Sequence, residues 1–225
     1  MDKNINTFSV RLSEDTEPII FETGWKAKQA SGSIWAKQGD TVVLVTAVSS
    51  KNTPENIDFF PLTVNYIEKF YAVGKFPGGF IKRENKPSDK ETLISRLIDR
   101  PLRPLFPDGF RNETQVMATV VSSDGKHSPD IIALNAASAA LMISDIPFNG
   151  PVGAVRVGRI DGDLLVNPSS ELIDSLDMNI VLAGTKDALV MVEAGMSNVS
   201  EEEVIEALEF GHNHIKKMVS FQEEM

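Results

Sequence analysis

The chain has 225 residues, of which 42% are apolar and 24% are charged, and its formal net charge is −10 at pH 7. These values predict a globular protein with its own apolar core, and the lack of cysteine excludes disulfides and thiolate metal sites. The N-terminal residues MDKNINTFSV lack the apolar segment of a secretory signal, and the apolar run at 131–143 is too short to span a bilayer. We therefore expect no membrane partner.

Strands dominate the first part of the chain. The run TVVLVTAV is nearly continuous in β-branched and apolar residues, so it predicts a central strand. Gln38-Gly39-Asp40 predicts a hairpin turn, and the polar residues at 52–58 predict a loop. The expected strands are two within 8–23 and one each at 26–37, 40–49 and 59–66.

The first helix is expected to begin at Ser88. The segment Ser88-Asp89-Lys90-Glu91 fits a capping box, in which the serine and glutamate side chains bond to each other's backbone. Apolar residues then recur at helical spacing and predict one buried face. Pro101 and Pro104 are expected to end the helix, which makes Arg103 a loop residue.

Two further helices are expected, at Ser128-Pro129-Asp130 and at Ser200 with its three following glutamates. The helix after Asp130 is rich in alanine, which predicts close packing and burial. The last helix is expected to reach about residue 220. The remaining strands are expected at 114–123, 152–159, 163–167, 178–183 and 188–194. This order predicts an α+β or split β-α-β fold, with helices against a mixed sheet, in one domain.

Residues 78–111 carry eight basic and five acidic side chains in a chain that is acidic overall. Such a concentration predicts contact with an anion, although a solvated helix with ordinary ion pairs explains the same charges. Phe80 stands beside Lys82 and Arg83 on a glycine-rich loop. A ring that stacks on bases and cations that bind phosphates suit a single nucleic-acid strand. Burial of Phe80 in the core is the alternative.

Other chemistry has weaker signals. The three histidines are too scattered to favour a catalytic triad, and we expect them in surface or capping roles. Glu171, Asp174 and Asp177 precede a strand and could hold Mg²⁺ through oxygen ligands, but a solvated acidic loop is the favoured interpretation. The sequence therefore predicts neither a catalytic residue nor a metal ligand.

Several segments together resemble the N-terminal part of the bacterial polynucleotide phosphorylases. They are DFFPLTVNY (58–66), PGGFIKRENKPSDKETLISRLIDRPLRPLFPDGF (77–110), IPFNGPVGAVRVG (146–158), NPSSEL (167–172) and EFGHNH (209–214). The resemblance implies a ribonuclease PH-like core, of the ribosomal protein S5 domain 2-like layout. It assigns 1–225 to the first such core, with the start of a helical region near 200–225.

The resemblance also implies an activity and partners. They are 3′→5′ phosphorolysis of RNA to nucleoside diphosphates with Mg²⁺ and inorganic phosphate, a homotrimeric ring, RNA degradosome components and a cytoplasmic location. In this family the phosphorolytic site belongs mainly to a second core. The first core is expected to guide single-stranded RNA into the channel of the trimer. The residues that the resemblance implies for RNA contact are Phe80, Ile81, Lys82, Arg83, Lys86, Arg96, Arg100 and Arg103.

This chain departs from the pattern of the family's catalytic core. The metal pattern reads Glu171-x5-Asp177-x-Asn179, with Glu in place of the first Asp and Asn in place of Lys. Asp89 and Lys90 stand roughly where an arginine pair is expected. The family's phosphate-binding serines fall near 128–132, where only Ser128 could take the place of one of them. The resemblance thus implies an RNA-binding and assembly core that is inactive alone. A self-sufficient single-core enzyme and a purely structural oligomerisation module remain as alternatives.

Overall fold

A computed structural model describes residues 5–53, 57–80, 83–84 and 86–225. The described residues form two β-sheets and three α-helices. The six strands of the first sheet are β1 Asn6–Val10, β2 Ile19–Thr23, β3 Gly32–Gln38, β4 Thr41–Ser49, β5 Leu62–Glu68 and β6 Thr114–Ser122. Their order in the sheet is β1-β2-β3-β4-β6-β5, and β5 runs parallel to β6 while the other neighbours are antiparallel. The first sheet is therefore mixed, as expected from the sequence.

The second sheet is antiparallel and follows in the chain. Its strands are β7 Gly153–Ile160, β8 Asp163–Val166, β9 Met178–Gly184 and β10 Leu189–Met196, in the order β10-β9-β7-β8. The two hairpins predicted after residue 151 are confirmed. In the first sheet β3 begins at Gly32 rather than at residue 26, because Ala27 has a positive φ of 44° and a turn bond joins Ala30 N–H to its carbonyl.

Helix α1, Asp89–Leu102, connects the parallel strands β5 and β6. The predicted capping box is confirmed, since Ser88 Oγ accepts from Glu91 N–H and the Glu91 carboxylate accepts from Ser88 N–H. The predicted end at Pro101 is wrong. Pro101 is buried in the last turn, where its missing N–H removes one terminal bond, and Arg103 N–H still bonds to the Asp99 carbonyl. Arg103 then begins a short 3₁₀ turn, Arg103–Leu105, instead of a loop.

Helix α2, Pro129–Met142, lies between the two sheets and is buried on all sides from Ile131 to Leu141. This confirms the burial expected from its alanines. The buried Asn135 joins the helix to β7, because its side chain donates to the Ala154 carbonyl and accepts from the Ala154 N–H, both at 2.8 Å. The apolar residues of both sheets and all three helices form one continuous core around α2.

Helix α3, Glu201–Glu223, packs against β7, β8 and β9 of the second sheet. The predicted helix start at Ser200 is confirmed, and Ser200 and Glu203 exchange side-chain and backbone bonds there as a capping box. Gly211 brings the helix close to the sheet, because a Cβ there would lie 2.3 Å from Leu182. No helix in the described residues has both the length and the apolar composition to cross a membrane.

Candidate nucleic-acid interface

The base of a projecting loop is held by several hydrogen bonds. A 3₁₀ turn, Phe70–Val73, follows β5 and ends at Gly74, whose left-handed backbone (φ 67°) allows its N–H to reach the Phe70 and Tyr71 carbonyls. The Glu84 carboxylate accepts from Phe70 N–H at 2.9 Å and from Lys69 Nζ at 2.5 Å. The hydrogen bond from Lys69 holds the pKa of Glu84 below its usual range. These contacts place the start of the loop beside Glu84.

The aromatic loop, which we define as residues 74–80, projects from this base. The side chain of Phe80 is fully exposed, at 103%, so it does not belong to the core. A Cβ built on Gly78 or Gly79 would have no neighbour within 4 Å. Ile81 and Lys82, for which the resemblance implies RNA contact, lie outside the described residues. Arg83 and Lys86 are described and exposed.

A cleft of about 870 Å³ lies next to the aromatic loop. It is bounded by the carboxyl ends of the parallel strands β5 and β6 and by the starts of α1 and α2, a position where sheets of this kind commonly bind ligands. Cations outnumber acids on its walls. The basic residues are Lys69, Lys75, Arg83, Lys86 and Lys90, and the acidic ones are Glu68, Glu84 and Glu91.

The acids of the cleft already have partners within the chain. Glu68 accepts from Lys90 Nζ, with the closest contact at 2.8 Å, and Glu84 accepts from Lys69. Burial raises the pKa of Glu91, but hydrogen bonds from the backbone N–H groups of Ser88 and Glu68 outweigh it and lower the pKa. Lys75, Arg83 and Lys86 have no ion pair among the described residues, so they give the cleft and loop their uncompensated positive charge.

The three arginines of the α1 region differ in their surroundings. Arg96 is exposed and has no ion pair within the described part of the chain, whereas Arg100 pairs with Glu193 on β10. Arg103 donates to both oxygens of Asp99 and to the carbonyls of Phe60 and Leu62. Arg103 thus fastens the end of α1 to the entry of β5. The sequence signal for part of this role was Asp99, four residues earlier on the helix.

Two of the three residues at the family's metal pattern, Asp177 and Asn179, accept hydrogen bonds from arginines. Both oxygens of Asp177 accept from Arg159, at 2.8–3.2 Å, and the hydrogen bonds from Arg159 hold the pKa of Asp177 below its usual value. Asn179 Oδ1 accepts from Arg156 Nη1 at 2.8 Å. Within the described ranges, no three acidic or histidine side chains are close enough to hold a metal ion. The side-chain oxygens of Asp177 and Asn179 already accept hydrogen bonds from arginines, an arrangement that does not fit Mg²⁺.

Arg156, like Arg159, is a residue of this region that sequence reasoning missed. It joins Asp130, at the start of α2, to Asn179 on β9, with Arg156 Nη2 2.6 Å from Asp130 Oδ2. Ser128 lies at the predicted N-cap of α2, but its side chain makes no capping bond in the described structure. Glu171 and Asp174 are exposed on a 3₁₀ turn, Ser170–Ser175.

Each histidine contacts a carboxylate or a backbone carbonyl, and no two of them share a site in the described structure. His127 lines the cleft, and its Nδ1 lies 2.7 Å from Asp124 Oδ2. Asp124 also accepts from the backbone N–H groups of Asp40, Lys126 and His127, so it organises the turn that leads to α2. His212 and His214 contact backbone carbonyls, of Thr185 and Phe210 respectively.

The two sheets and the helix between them define a ribonuclease PH-like fold. The structure of rice (Oryza sativa) Rrp46 superimposes with a TM-score of 0.73 over 93% of this chain and 94% of that one, at 20% sequence identity. The fold class expected from the sequence is thereby confirmed.

The chain belongs to the 3′ exoribonuclease family. The family's domain 1 model matches residues 15–147 and its domain 2 model matches residues 150–214. The boundary between the two models separates the sheets, and the expectation that 1–225 is one domain stays a prediction.

Relatives at high identity are polyribonucleotide nucleotidyltransferases, which agrees with the resemblance found in the motifs. The protein of that name from Heliobacterium modesticaldum is 58% identical over 98% of this chain, and the one from Geobacillus kaustophilus is 53% identical over 100%. This chain spans 31% of the length of each of these relatives.

Proposed function

We propose that this chain is the first ribonuclease PH-like core of a polynucleotide phosphorylase, and that it guides single-stranded RNA without catalysing its cleavage. The observation that carries the proposal is that Arg83 and Lys86, two exposed cations without an ion pair among the described residues, follow the fully exposed Phe80 closely in the chain. Lys75 extends this charge along the loop into the cleft. The set combines the two interactions that single-stranded nucleic acid offers, phosphate charge and base stacking.

RNA would meet the charge first. Arg83 and Lys86 attract phosphates without regard to base sequence, and the ring of Phe80 stacks on whichever base lies beside it. The bonds of Glu84 to Lys69 and Phe70 hold the base of the loop, so less ordering is needed when RNA binds. Guidance of this kind suits an enzyme that must accept any sequence.

Phosphorolysis itself would occur elsewhere in the protein. The reaction transfers the terminal nucleotide to inorganic phosphate, and cations must neutralise the charge on the transferring group. In this chain Asn179 stands where the family has lysine, and Asp177 is bonded to Arg159. We infer that Mg²⁺ and phosphate bind mainly outside these residues and that 1–225 alone is inactive.

Assembly completes the proposal. Arg96 is exposed on α1 without an ion pair among the described residues, and Leu93 on the same helix is 63% exposed. Such a face suits contact with another core in a homotrimer. We place this homotrimer in the cytoplasm, where RNA degradosome components could bind it. Arg100 and Arg103 would act mainly by bracing the core, through Glu193 and Asp99.

The RNA-binding part is tested with a double variant, Arg83→Ala with Lys86→Ala, in the longest form of the protein that its gene encodes. The slope of log affinity against log salt is negative, and each lost phosphate contact should reduce its magnitude by about 0.7, so the double variant should lose about 1.4 of that magnitude. The matched control removes two exposed lysines elsewhere, Lys28→Ala with Lys51→Ala. Equal slopes for the two double variants would contradict the proposal.

The catalytic part is tested by incubating the 225-residue chain with poly(A), Mg²⁺ and phosphate, after its folding is checked by circular dichroism. We expect no release of nucleoside diphosphate. Phosphate-dependent release that disappears with Asp177→Ala would instead support a self-sufficient enzyme.

A further inference from the structure

We infer that Phe76 is a second base-stacking residue, so that the aromatic loop holds bases of single-stranded RNA on two rings. This inference rests on the proposed function, because it adds a contact to the same interface. The side chain of Phe76 is 92% exposed and that of Phe80 is 103% exposed. Phe59, with the next highest exposure among the described phenylalanines, is 62% exposed.

Phe76 contributes little to the core. Single exposed apolar residues are common on proteins, but here two nearly bare rings lie four residues apart on one projecting loop. A ring with almost all its surface in water gains little from folding. Its contacts are therefore expected to form with a ligand.

The backbone restrains Phe76 more than Phe80. Lys75 N–H, immediately before Phe76, bonds to the Phe70 carbonyl at 3.0 Å. Pro77 follows Phe76 and restricts it to extended backbone. Phe80 instead follows Gly78 and Gly79, and Gly79 has a φ of +78° that glycine adopts without strain. Phe76 thus lies near the fixed base of the loop, where a stacking ring loses less freedom on binding.

The two rings lie within reach of one short stretch of RNA. Four residue steps separate them, so their Cα atoms are at most about 14 Å apart. Cations flank both, with Lys75 directly before Phe76 and Arg83 after Phe80. Alternation of aromatic and basic residues favours a polyanion with flat bases over an apolar protein partner, which would have to desolvate those charges.

The test measures the affinity of a fluorescein-labelled oligoadenylate and of an abasic oligomer of the same length, in the longest form of the protein that its gene encodes. Phe76→Ala should weaken oligoadenylate binding by about 5- to 150-fold, the loss that corresponds to one stacked base. Binding of the abasic oligomer and the salt slope should stay unchanged. Phe76→Tyr should bind as the parent does. Phe59→Ala, at an exposed ring outside the loop, is the control.

Three outcomes would overturn the inference. If Phe80→Ala and Arg83→Ala weaken binding while Phe76→Ala does not, Phe76 has no stacking role and the proposed function stands. If none of these variants weakens binding, the proposed function fails as well. If Phe76→Ala weakens binding of the abasic oligomer equally, or changes the oligomeric state measured by light scattering, the ring serves structure or a protein contact.

Discussion

Arginine side chains differ in exposure and in ion pairing between two arginine-rich regions of this molecule. In the first region, Arg83 on the cleft wall and Arg96 on α1 are exposed and have no ion pair among the described residues. On the second sheet, the side chains of Arg156 and Arg159 are only 12% and 10% exposed, and each meets a carboxylate. The difference shows that the spatial distribution of acids, more than the number of arginines, decides which cations remain for a ligand.

In the second region, arginines already bond to the acidic and amide side chains. Arg159 lies between Asp177 and Glu203, and Arg156 lies between Asp130 and Asn179. Positive charge therefore already balances the acids that a metal ion would need. These arginines join the sheet to α2 and α3, so Asp130, Asp177 and Glu203 have a structural role in the described fold.

The largest expected difference between the regions is in stability. Arg156→Met leaves Asp130 without its partner beside the core, and we expect the free energy of unfolding to fall by about 3 kcal/mol. Arg96→Met on the exposed face of α1 should change it by less than about 0.5 kcal/mol. Urea unfolding of both variants checks this, and equal losses would remove the distinction between the regions.

The two capping boxes provide a comparison in which the regions should behave alike. Ser88→Ala and Ser200→Ala each remove a side-chain acceptor at a helix start, and each should cost about 1 kcal/mol. Thermal and urea unfolding measure both. A much larger loss for Ser88→Ala would mean that its capping box also holds the cleft together, through the bond of Glu91 to β5.

The pH dependence of stability should come partly from the second region. The hydrogen bond from Arg159 lowers the pKa of Asp177 from its usual 3.8, and bonds from Ser200 and then from Arg159 lower that of Glu203 from 4.5. The two carboxylates in their charged forms thus stabilise the folded state at pH values above their usual pKa values. This contribution is lost as the pH falls below about 4, through the lowered pKa values of the folded state. Asp177→Asn should flatten the dependence in that range, whereas Glu171→Gln on the exposed turn should not. Urea unfolding at several pH values tests this, and parallel curves for Asp177→Asn and the parent would contradict it.

The smallest effect is expected for Arg100. Its partner Glu193 lies on the surface, with side-chain exposures of 48% and 56%, so Arg100→Ala should cost about 0.5 kcal/mol. If RNA affinity also falls as far as in Arg83→Ala, the ion pair opens to bind RNA and the proposed division of roles is wrong. Filter binding at fixed salt checks it.

Local signals allowed much of the fold to be predicted from the sequence. Capping residues and turn residues act over a few positions, so Ser88, Ser200 and the hairpins were assigned correctly. Pro101 was misjudged, because its effect depends on how close it lies to the end of the helix. A proline in the last turn removes one bond where few remain.

The candidate site was predicted less completely, because its contacts cross the fold. Arg103 reaches the Phe60 and Leu62 carbonyls, and Arg156 joins α2 to β9, through pairings that no local spacing encodes. Exposure is equally hidden in the sequence. The exposure of Phe76 became visible only in the structure, where the loop that carries it is placed. The symmetric segment Phe-Pro-Gly-Gly-Phe was nevertheless a visible signal in the sequence.

The most direct test of RNA guidance is photo-crosslinking of single-stranded RNA carrying 4-thiouridine, followed by mass spectrometry of the crosslinked peptides. We predict crosslinks in the peptides that contain the aromatic loop and Arg83. Crosslinks confined to the second sheet, around Arg156 and Asp177, or an absence of crosslinks in this chain while RNA is bound, would contradict the account.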